Sequence, residues 1–276
     1  MSRLKVTLID VGWGDSILLE SEDSQGKFHF ALVDSNDNSE MRSSYIFLRR
    51  HFEKMGLKIK KENMPFFRFV LLSHAHTDHG RGLESIMREF RTENFIYPKF
   101  HKPGILSKLQ DFARRYPMYA SHFQSVDTMD AIDLGDAVIT FLWPKHGDPP
   151  MEDTENNNSV VMRLKLGEIS FILTGDAEKE VWERIAQEIP DDTRFLKVPH
   201  HGSENGTFDG QNPVWLYDCP RSAKLGISSH VTPHPHPHQR VINLFNFHQM
   251  EFYRTDINYH LSFETDGQTV SVKYSH

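Results

Sequence analysis

Apolar residues fall along this chain in short runs and alternations divided by polar turns, and each run predicts an element. Residues 3–9, 15–20 and 28–33 have the pattern of strands, and Glu40 to about Lys54 that of an amphipathic helix. Residues 66–72 are nearly all apolar, as expected of a short strand buried in a sheet. A helix is predicted over about 81–90, a short strand at Phe95-Ile96-Tyr97 and a helix over about 104–115. Strands resume at 137–143, 159–166 and 169–174, with Gly167-Glu168 as the hairpin turn between the last two. A helix beginning near Glu178 carries Val181, Trp182 and Ile185 at helical spacing and stops by Pro190. Then come a strand at 194–198, a short helix near 213–218, a strand at 223–228, a helix over about 237–247, and strands at 251–254, 259–264 and 268–273. Two β-rich halves with helices outside predict an α/β fold, a four-layer αββα sandwich. Asp148–Asn158 is a polar loop within one domain spanning 1–276.

Composition narrows the class. Hydrophobic residues at 38% and charged residues at 25% are globular values. The apolar strand begins almost at the N-terminus, with no signal-peptide pattern and no apolar stretch of membrane-spanning length. The single cysteine, Cys219, excludes an internal disulfide framework and fits a reducing compartment, so a soluble cytoplasmic protein is expected. A net charge of −7 speaks against a protein that coats DNA nonspecifically; a polyanion would need a local basic patch or metal ions. One basic run is Arg42, Arg49, Arg50, Lys54, Lys58, Lys60 and Lys61; another is Lys99, Lys102, Lys108, Arg114 and Arg115. The simpler account of each is the solvated face of a helix.

The chemistry concentrates where predicted strands end. Phe69-Val70-Leu71-Leu72 runs straight into Ser73-His74-Ala75-His76-Thr77-Asp78-His79, which sets four metal-ligand side chains within six residues. Imidazoles and a carboxylate at this spacing can serve two neighbouring metal ions. A second strand ends in Thr174-Gly175-Asp176, where a carboxylate oxygen can bridge two cations or merely cap the helix that starts at Ala177. A third ends in Pro199-His200-His201-Gly202-Ser203. Each of the last two is a weak signal alone; together with the first they point to a metal-dependent hydrolase. His234, His236 and His238 alternate with prolines and fit either a further metal site or a stiff extended segment before a helix. The preferred expectation gives His234 a contact with substrate phosphate or a role in protonating the leaving group, and leaves His236 and His238 peripheral.

In this order, His-x-His-x-Asp-His, strand-Gly-Asp and strand-His resemble the metallo-β-lactamase-fold hydrolases, and in particular the ComEC-type hydrolase domain of bacterial DNA-uptake proteins. The resemblance extends to Asp10-Val11-Gly12-Trp13-Gly14-Asp15-Ser16, where Trp13 replaces a glutamine, and to Leu32-Val33-Asp34-Ser35. Asn158-Ser159-Val160-Val161, Lys197-Val198-Pro199-His200-His201-Gly202-Ser203, His234-Pro235-His236-Pro237 and Tyr253-Arg254-Thr255-Asp256 continue it, so it spans nearly the whole chain. It implies the αββα sandwich and one or two divalent metal ions, zinc or manganese. It implies His74 and His76 as ligands of a first metal, Asp78, His79 and one of His200 and His201 as ligands of a second, and Asp176 as the bridge. His201 is favoured as the ligand and His200 as a contact to substrate or bound phosphate, with the reverse left open. Asp34 resembles the carboxylate that orients a ligand histidine. Where many relatives place another ligand histidine, this chain has Asn156, Asn157, Asn158 and Ser159, which implies a first metal site poor in ligands or filled by a harder ion such as manganese.

The implied activity is phosphodiester hydrolysis of nucleic acid, DNA above all, by a metal-bound hydroxide. Asp78 or Asp176 would orient the water, His234 or His200 would act as general acid, and Asn158, Ser159 and Ser203 would bind phosphate oxygens. Trp13 belongs near the rim of such a site. Two other readings remain: hydrolysis of a small phosphodiester or a lactone, which the negative net charge favours, and a non-catalytic partner subunit keeping a relic site. The resemblance carries no membrane portion, so a free-standing enzyme of DNA processing or phage defence, working with proteins encoded nearby, is expected.

Overall fold

The computed structural model describes all residues except 58, 60–63, 100–103, 152–153, 231, 233 and 275–276. Along the chain, β1 (Arg3–Leu8), β2 (Ile17–Glu22) and β3 (Phe28–Val33) lead to α1 (Ser43–Lys54) and β4 (Phe67–Leu71). A single turn, α2 (Thr77–Gly80), precedes α3 (Leu83–Phe90), β5 (Thr92–Tyr97), α4 (Ile105–Arg115) and β6 (Ala120–Ser125). The second half holds β7 (Ala131–Leu134), β8 (Ala137–Trp143), β9 (Val161–Leu166), β10 (Ile169–Leu173), α5 (Lys179–Ile185) and β11 (Thr193–Lys197). A two-residue ladder joins β12 (Phe208–Asp209) to β13 (Asn212–Pro213), and β14 (Lys224–Ile227), α6 (Gln239–Phe247), β15 (Glu251–Arg254) and α7 (Thr255–Asn258) follow. The C-terminal hairpin of β16 (Leu261–Thr265) and β17 (Val270–Tyr274) returns to β1.

Among the described residues, one sheet has eight strands in the order β17-β16-β1-β2-β3-β4-β5-β6 and the other seven, β15-β14-β11-β10-β9-β8-β7. Each sheet begins antiparallel in its hairpins and becomes parallel: β3 to β6 in the first, and β10, β11, β14 and β15 in the second. Alternation along the strands builds the layers. Leu4, Val6, Leu8, Leu19 and Phe69 of the first sheet meet Leu164, Phe171, Phe195 and Leu173 of the second in a central core. The alternate positions Leu18, Phe30, Leu32 and Val70 pack outward beneath α1, α3 and α4, with Leu48, Phe52, Ile86 and Leu109 among their partners. On the far side, Ile172, Leu196 and Leu225 carry Val181, Trp182, Val241 and Phe245 of α5 and α6. Helices outside two facing sheets make the αββα sandwich. No helix among the described residues is long and apolar enough to cross a membrane.

Three stretches differ from the sequence expectations. β6 and β7 were not predicted; Ala120–Ser125 is a polar strand at the sheet edge, and β7 is only four residues long. Residues 213–218 form no helix: Pro213 lies in the β13 ladder, and the chain makes one turn closed by the Cys219 amide on the Trp215 carbonyl (3.1 Å) before Pro220 ends it. Helix α1 begins at Ser43 rather than Glu40, where the Asp37 carboxylate accepts from the Ser44 and Tyr45 amides (2.8 Å each).

Candidate metal centre

The parallel strands of both sheets end on the same side of the sandwich, the edge at which α/β sheets hold ligands. From β4 the chain passes through Ser73 to His74 and His79, from β10 to Asp176, from β11 to His201, and from β3 to Asp34. His74, His79, His201 and Asp176 are all buried. They converge: the Asp176 Oδ2 lies 3.3 Å from His79 Nε2, 3.3 Å from His201 Nε2 and 3.9 Å from His74 Nε2. Asp78, at the mouth, has its Oδ2 4.0 Å from His79 Nε2.

The tautomers follow from what lies behind each ring. His201 Nδ1 faces the Ser228 carbonyl at 3.0 Å; a carbonyl only accepts, so Nδ1 carries the proton. His79 Nδ1 donates to Asp34 Oδ2 at 2.8 Å. The Ser73 hydroxyl gives its one proton to Asp34 Oδ2 at 2.6 Å and therefore accepts from His74 Nδ1 at 3.1 Å. All three rings thus turn an Nε2 lone pair inward, and all three Nε2 atoms are buried without a hydrogen-bond partner, as is Asp176 Oδ1. Unpartnered buried polar atoms are rare and costly in folded proteins. Imidazole nitrogens and a carboxylate facing one another are the donor set of a borderline divalent cation. The residues present fit a metal.

The charges of the centre interact strongly, and a cation bound at His79 Nε2 would displace the proton that its acidic neighbours favour there. Burial works to raise the Asp176 carboxyl, but facing His201 and His79 overcome it and hold the pKa well below the ordinary value. Burial above all, with the Asp15 carboxylate, pushes Asp34 up despite His79. Burial disfavours the His79 cation, yet Asp176 and Asp34 raise its pKa well above normal. His74, buried and beside His79, is held well below.

Two buried residues that the sequence reading left without a role complete the centre. Asp15 and Lys197 are both fully buried, with Lys197 Nζ 2.8 Å from Asp15 Oδ2, 3.0 Å from the Gly175 carbonyl and 3.9 Å from Asp176 Oδ1. Asp15 also lies 3.7 Å from His201 Nδ1 and 4.0 Å from His79 Nδ1. Burial opposes the Lys197 cation, but Asp15 and Asp176 raise its pKa. The available signal was a lysine closing the apolar strand Phe195-Leu196, since lysine is almost never fully buried unless paired. Asp15 reaches this layer because Gly14 allows it: at φ +89°, a Cβ on Gly14 would stand 2.3 Å from the Asp78 carbonyl oxygen.

The pocket in front has a volume of about 380 Å³ and is lined by Trp13, His76, Asp78, Asn156, Asp176, His200, His234 and His236. His76 is half-buried, its ring 4.7 Å from that of His74, and it lies on the pocket wall rather than in the buried cluster. His200 and His201 both adopt left-handed backbone, at φ 47° and 54°, an uncommon conformation outside glycine that turns the two rings apart. His201 goes inward; His200 stays at the rim with Nδ1 3.1 Å from Glu178 Oε1 and Nε2 4.0 Å from Asp176 Oδ2. Glu178, in turn, accepts from Asn156 Nδ2 at 2.9 Å. Burial opposes the His200 cation, but Glu178 and Asp176 raise its pKa.

The side chains expected to contact phosphate each bond backbone groups as well, and each keeps a proton to donate. Both ends of the Asn158 carboxamide bond the Met151 backbone (3.3 Å each), the Ser159 hydroxyl accepts from the Asp176 amide (2.9 Å), and the Ser203 hydroxyl accepts from the Gly206 amide (3.0 Å). His234 does reach the pocket, its ring 5.0 Å from Trp13, but so does His236, which was expected to be peripheral. His236 stacks on Trp13 at 5.5 Å, and burial lowers its pKa to about 4. His238 instead caps α6, accepting from the Arg240 amide (3.3 Å).

The family described as "Beta-lactamase superfamily domain" matches residues 32–192. ComE operon protein 3 of Bacillus subtilis (strain 168) is 28% identical over 270 residues, 93% of this chain and 32% of that protein. Uncharacterized protein YcaI of Escherichia coli (strain K12) is 30% identical over 142 residues, 50% of this chain and 16% of that protein. The chain therefore spans about a third of the first relative and about a sixth of the second. Among solved structures, Igni18, a metallo hydrolase from the archaeon Ignicoccus hospitalis KIN4/I, is similar at a TM-score of 0.50 and 11% identity, covering 99% of this chain and 100% of that one. A CmlA beta-hydroxylase mutant is similar at a TM-score of 0.52 and 13% identity, covering 94% of this chain and 53% of that one. At these identities the structural likeness is one of fold.

Proposed function

The chain belongs to the β-lactamase superfamily domain family, a metallo-β-lactamase-type hydrolase, and on that premise we propose that it is a metal-dependent phosphodiesterase, one domain over 1–276, that cleaves nucleic acid, DNA above all. The observation that carries the proposal is the convergence on Asp176, past the end of β10, of three unpartnered Nε2 atoms from beyond the ends of β4 and β11. His79, His201, Asp78 and Asp176 would hold one divalent ion, and His74 and His76, with Asp176 shared, a second, either zinc or manganese. Such ions supply Lewis-acid neutralisation of phosphoryl charge and lower the pKa of water.

The chain's own residues do the rest. Asp34, Ser73 and Ser228 hold the three rings in the tautomers that leave Nε2 free. Asp78, half-buried at the mouth, is placed to accept a proton from and orient the attacking water. His200, backed by Glu178 and raised in pKa, is the general acid that protonates the leaving oxygen. His234 is a second proton source on the same wall. Trp13 and His236 form a flat stacked surface beside the metal pocket, suited to a nucleobase next to the scissile phosphate. Support for nucleic acid comes from the motif resemblance to DNA-uptake hydrolase domains. The test is a panel of single-stranded DNA, duplex DNA, RNA and bis(p-nitrophenyl) phosphate with Mn²⁺, Zn²⁺ or Mg²⁺ added to chelator-stripped protein. Cleavage of DNA that disappears in Asp176→Ala and His79→Ala is expected; unchanged cleavage in either variant refutes the site.

A further inference from the structure

Behind the Trp13 loop lies a second cavity, of about 410 Å³, that the metal centre does not use. One face of α1 forms its wall: Ser43, Ile46, Phe47, Arg50 and Lys54 recur at helical spacing along it. The first basic run of the sequence resolves sharply here. Arg42 lies over the Tyr45 ring at 3.8 Å, and Arg49 is engaged by Glu53, Glu89 and the Tyr45 hydroxyl. Lys58, Lys60 and Lys61 lie outside the described residues. Arg50 and Lys54 remain, one turn apart, exposed and with no ion-pair partner among the described residues.

The other titratable groups of the cavity are already committed. His51 is spent on Glu20, at 2.7 Å. His260 Nδ1 accepts the Asp10 amide at 3.0 Å, which makes it a neutral ring. Among the described residues Asp10 is the one acid on the wall, and its Oδ1 accepts the Gly12 amide at 3.1 Å. Two unpaired cations facing one engaged carboxylate make a local anion site on a chain whose net charge is −7. Ile46, exposed at 46%, and Phe47 add an apolar surface beside the charges.

The position of this cavity matters as much as its charge. Asp10 lines it and Trp13 lines the metal pocket, so three residues of chain, at most about 11 Å, separate the two walls. A nucleic-acid strand carrying one phosphate per about 3.4 Å of axis crosses that distance within about three phosphates. We propose that the Arg50 and Lys54 cavity is a second phosphate-binding site, which holds the backbone of the same polynucleotide whose scissile phosphate occupies the metal pocket. It rests on the nucleic-acid reading of that pocket and deepens it: the substrate is a polymer held at two points. In the second basic run Lys99 pairs with Asp127 at 3.4 Å and Arg114 with Asp111 at 2.8 Å, Lys102 lies outside the described residues, and Lys108 and Arg115 share their pocket wall with the two acids Glu84 and Asp111.

The test compares the wild type with Arg50→Ala/Lys54→Ala on two substrates, a single-stranded DNA 20-mer and bis(p-nitrophenyl) phosphate, over a range of KCl concentrations. Both residues are exposed, so folding is unaffected, and the small diester reaches only the metal pocket. Expected are a KM for the oligonucleotide raised at least about fivefold and a log–log salt slope shallower by about 1.4, the contribution of two single-strand phosphate contacts. Hydrolysis of bis(p-nitrophenyl) phosphate stays at the wild-type rate, and Arg50→Lys/Lys54→Arg restores oligonucleotide binding. Unchanged KM and slope, with DNA still cleaved, overturn the second site and leave the proposed function standing. A wild type that cleaves the small diester but no polynucleotide overturns both. Equal losses on the two substrates show a structural effect and overturn the second site.

Discussion

Replacing Lys197 with methionine isolates the electrostatics that keep the centre assembled. The lysine is fully buried, and its ammonium contacts a fully buried carboxylate at 2.8 Å. At an effective dielectric constant of about 20, that separation corresponds to about 6 kcal/mol of attraction. Methionine fills the stem's volume and removes the charge, leaving Asp15 uncompensated beside Asp176 and Asp34. Because Asp15 can take up a proton, the loss falls below the Coulomb figure, at about 3–5 kcal/mol, as for other broken buried pairs. With about 2.1 cal/mol/K of unfolding entropy per residue over 276 residues, the melting temperature drops by about 5–9 °C. The measurement is urea and thermal unfolding in excess EDTA, so that metal binding does not contribute to the folded state. Asp15→Asn/Lys197→Met removes both charges and should recover at least half of the loss. A Lys197→Met variant within about 1 kcal/mol of wild type, or a double variant worse than the single one, refutes this reasoning.

Burial pushes the Cys219 thiol up to about 12, so native protein should not react with Ellman's reagent at pH 8, and one thiol should titrate in urea; rapid labelling of folded protein contradicts this. Burial works to raise the Glu20 carboxyl, but His51 and Lys5 lower it beneath its ordinary value of 4.5. A depressed carboxyl stabilises the fold above its unfolded pKa, and that contribution disappears as pH falls through the folded value. The urea midpoint of wild type should therefore fall more steeply than that of Glu20→Gln below pH 4.5; parallel curves refute the assignment.

The reach of the sequence was set by which residues announce their surroundings. Strands such as Phe67–Leu71 and Ile169–Leu173 are mostly apolar, almost entirely buried, and end abruptly, so both the sheet and the candidate ligand positions His74, His79 and Asp176 were legible. The edge strand Ala120–Ser125 has no such pattern, because little of it is buried. Among site residues, large imidazoles near strand ends were easy to single out, but short polar side chains were not. Asn158, Ser159 and Ser203 can satisfy a neighbouring backbone group as readily as a ligand, and each bonds a backbone group here. Asp15 and Lys197 went unassigned because a pair separated by most of the chain gives no local signal of mutual burial. The division of labour between His200 and His201 depends on two left-handed backbone conformations that side-chain identity alone does not encode.

The central claim is that Asp176 and the three Nε2 atoms around it hold catalytic metal. Calorimetric titration of chelator-stripped protein with Mn²⁺ and with Zn²⁺ tests it directly, beside Asp176→Asn checked for folding by circular dichroism. The account predicts saturable binding of at least one ion per chain in the wild type, weakened at least about 100-fold in the variant, beyond what loss of an outer partner costs. Wild-type protein that binds neither ion, or a folded Asp176→Asn that binds as tightly as wild type, contradicts it.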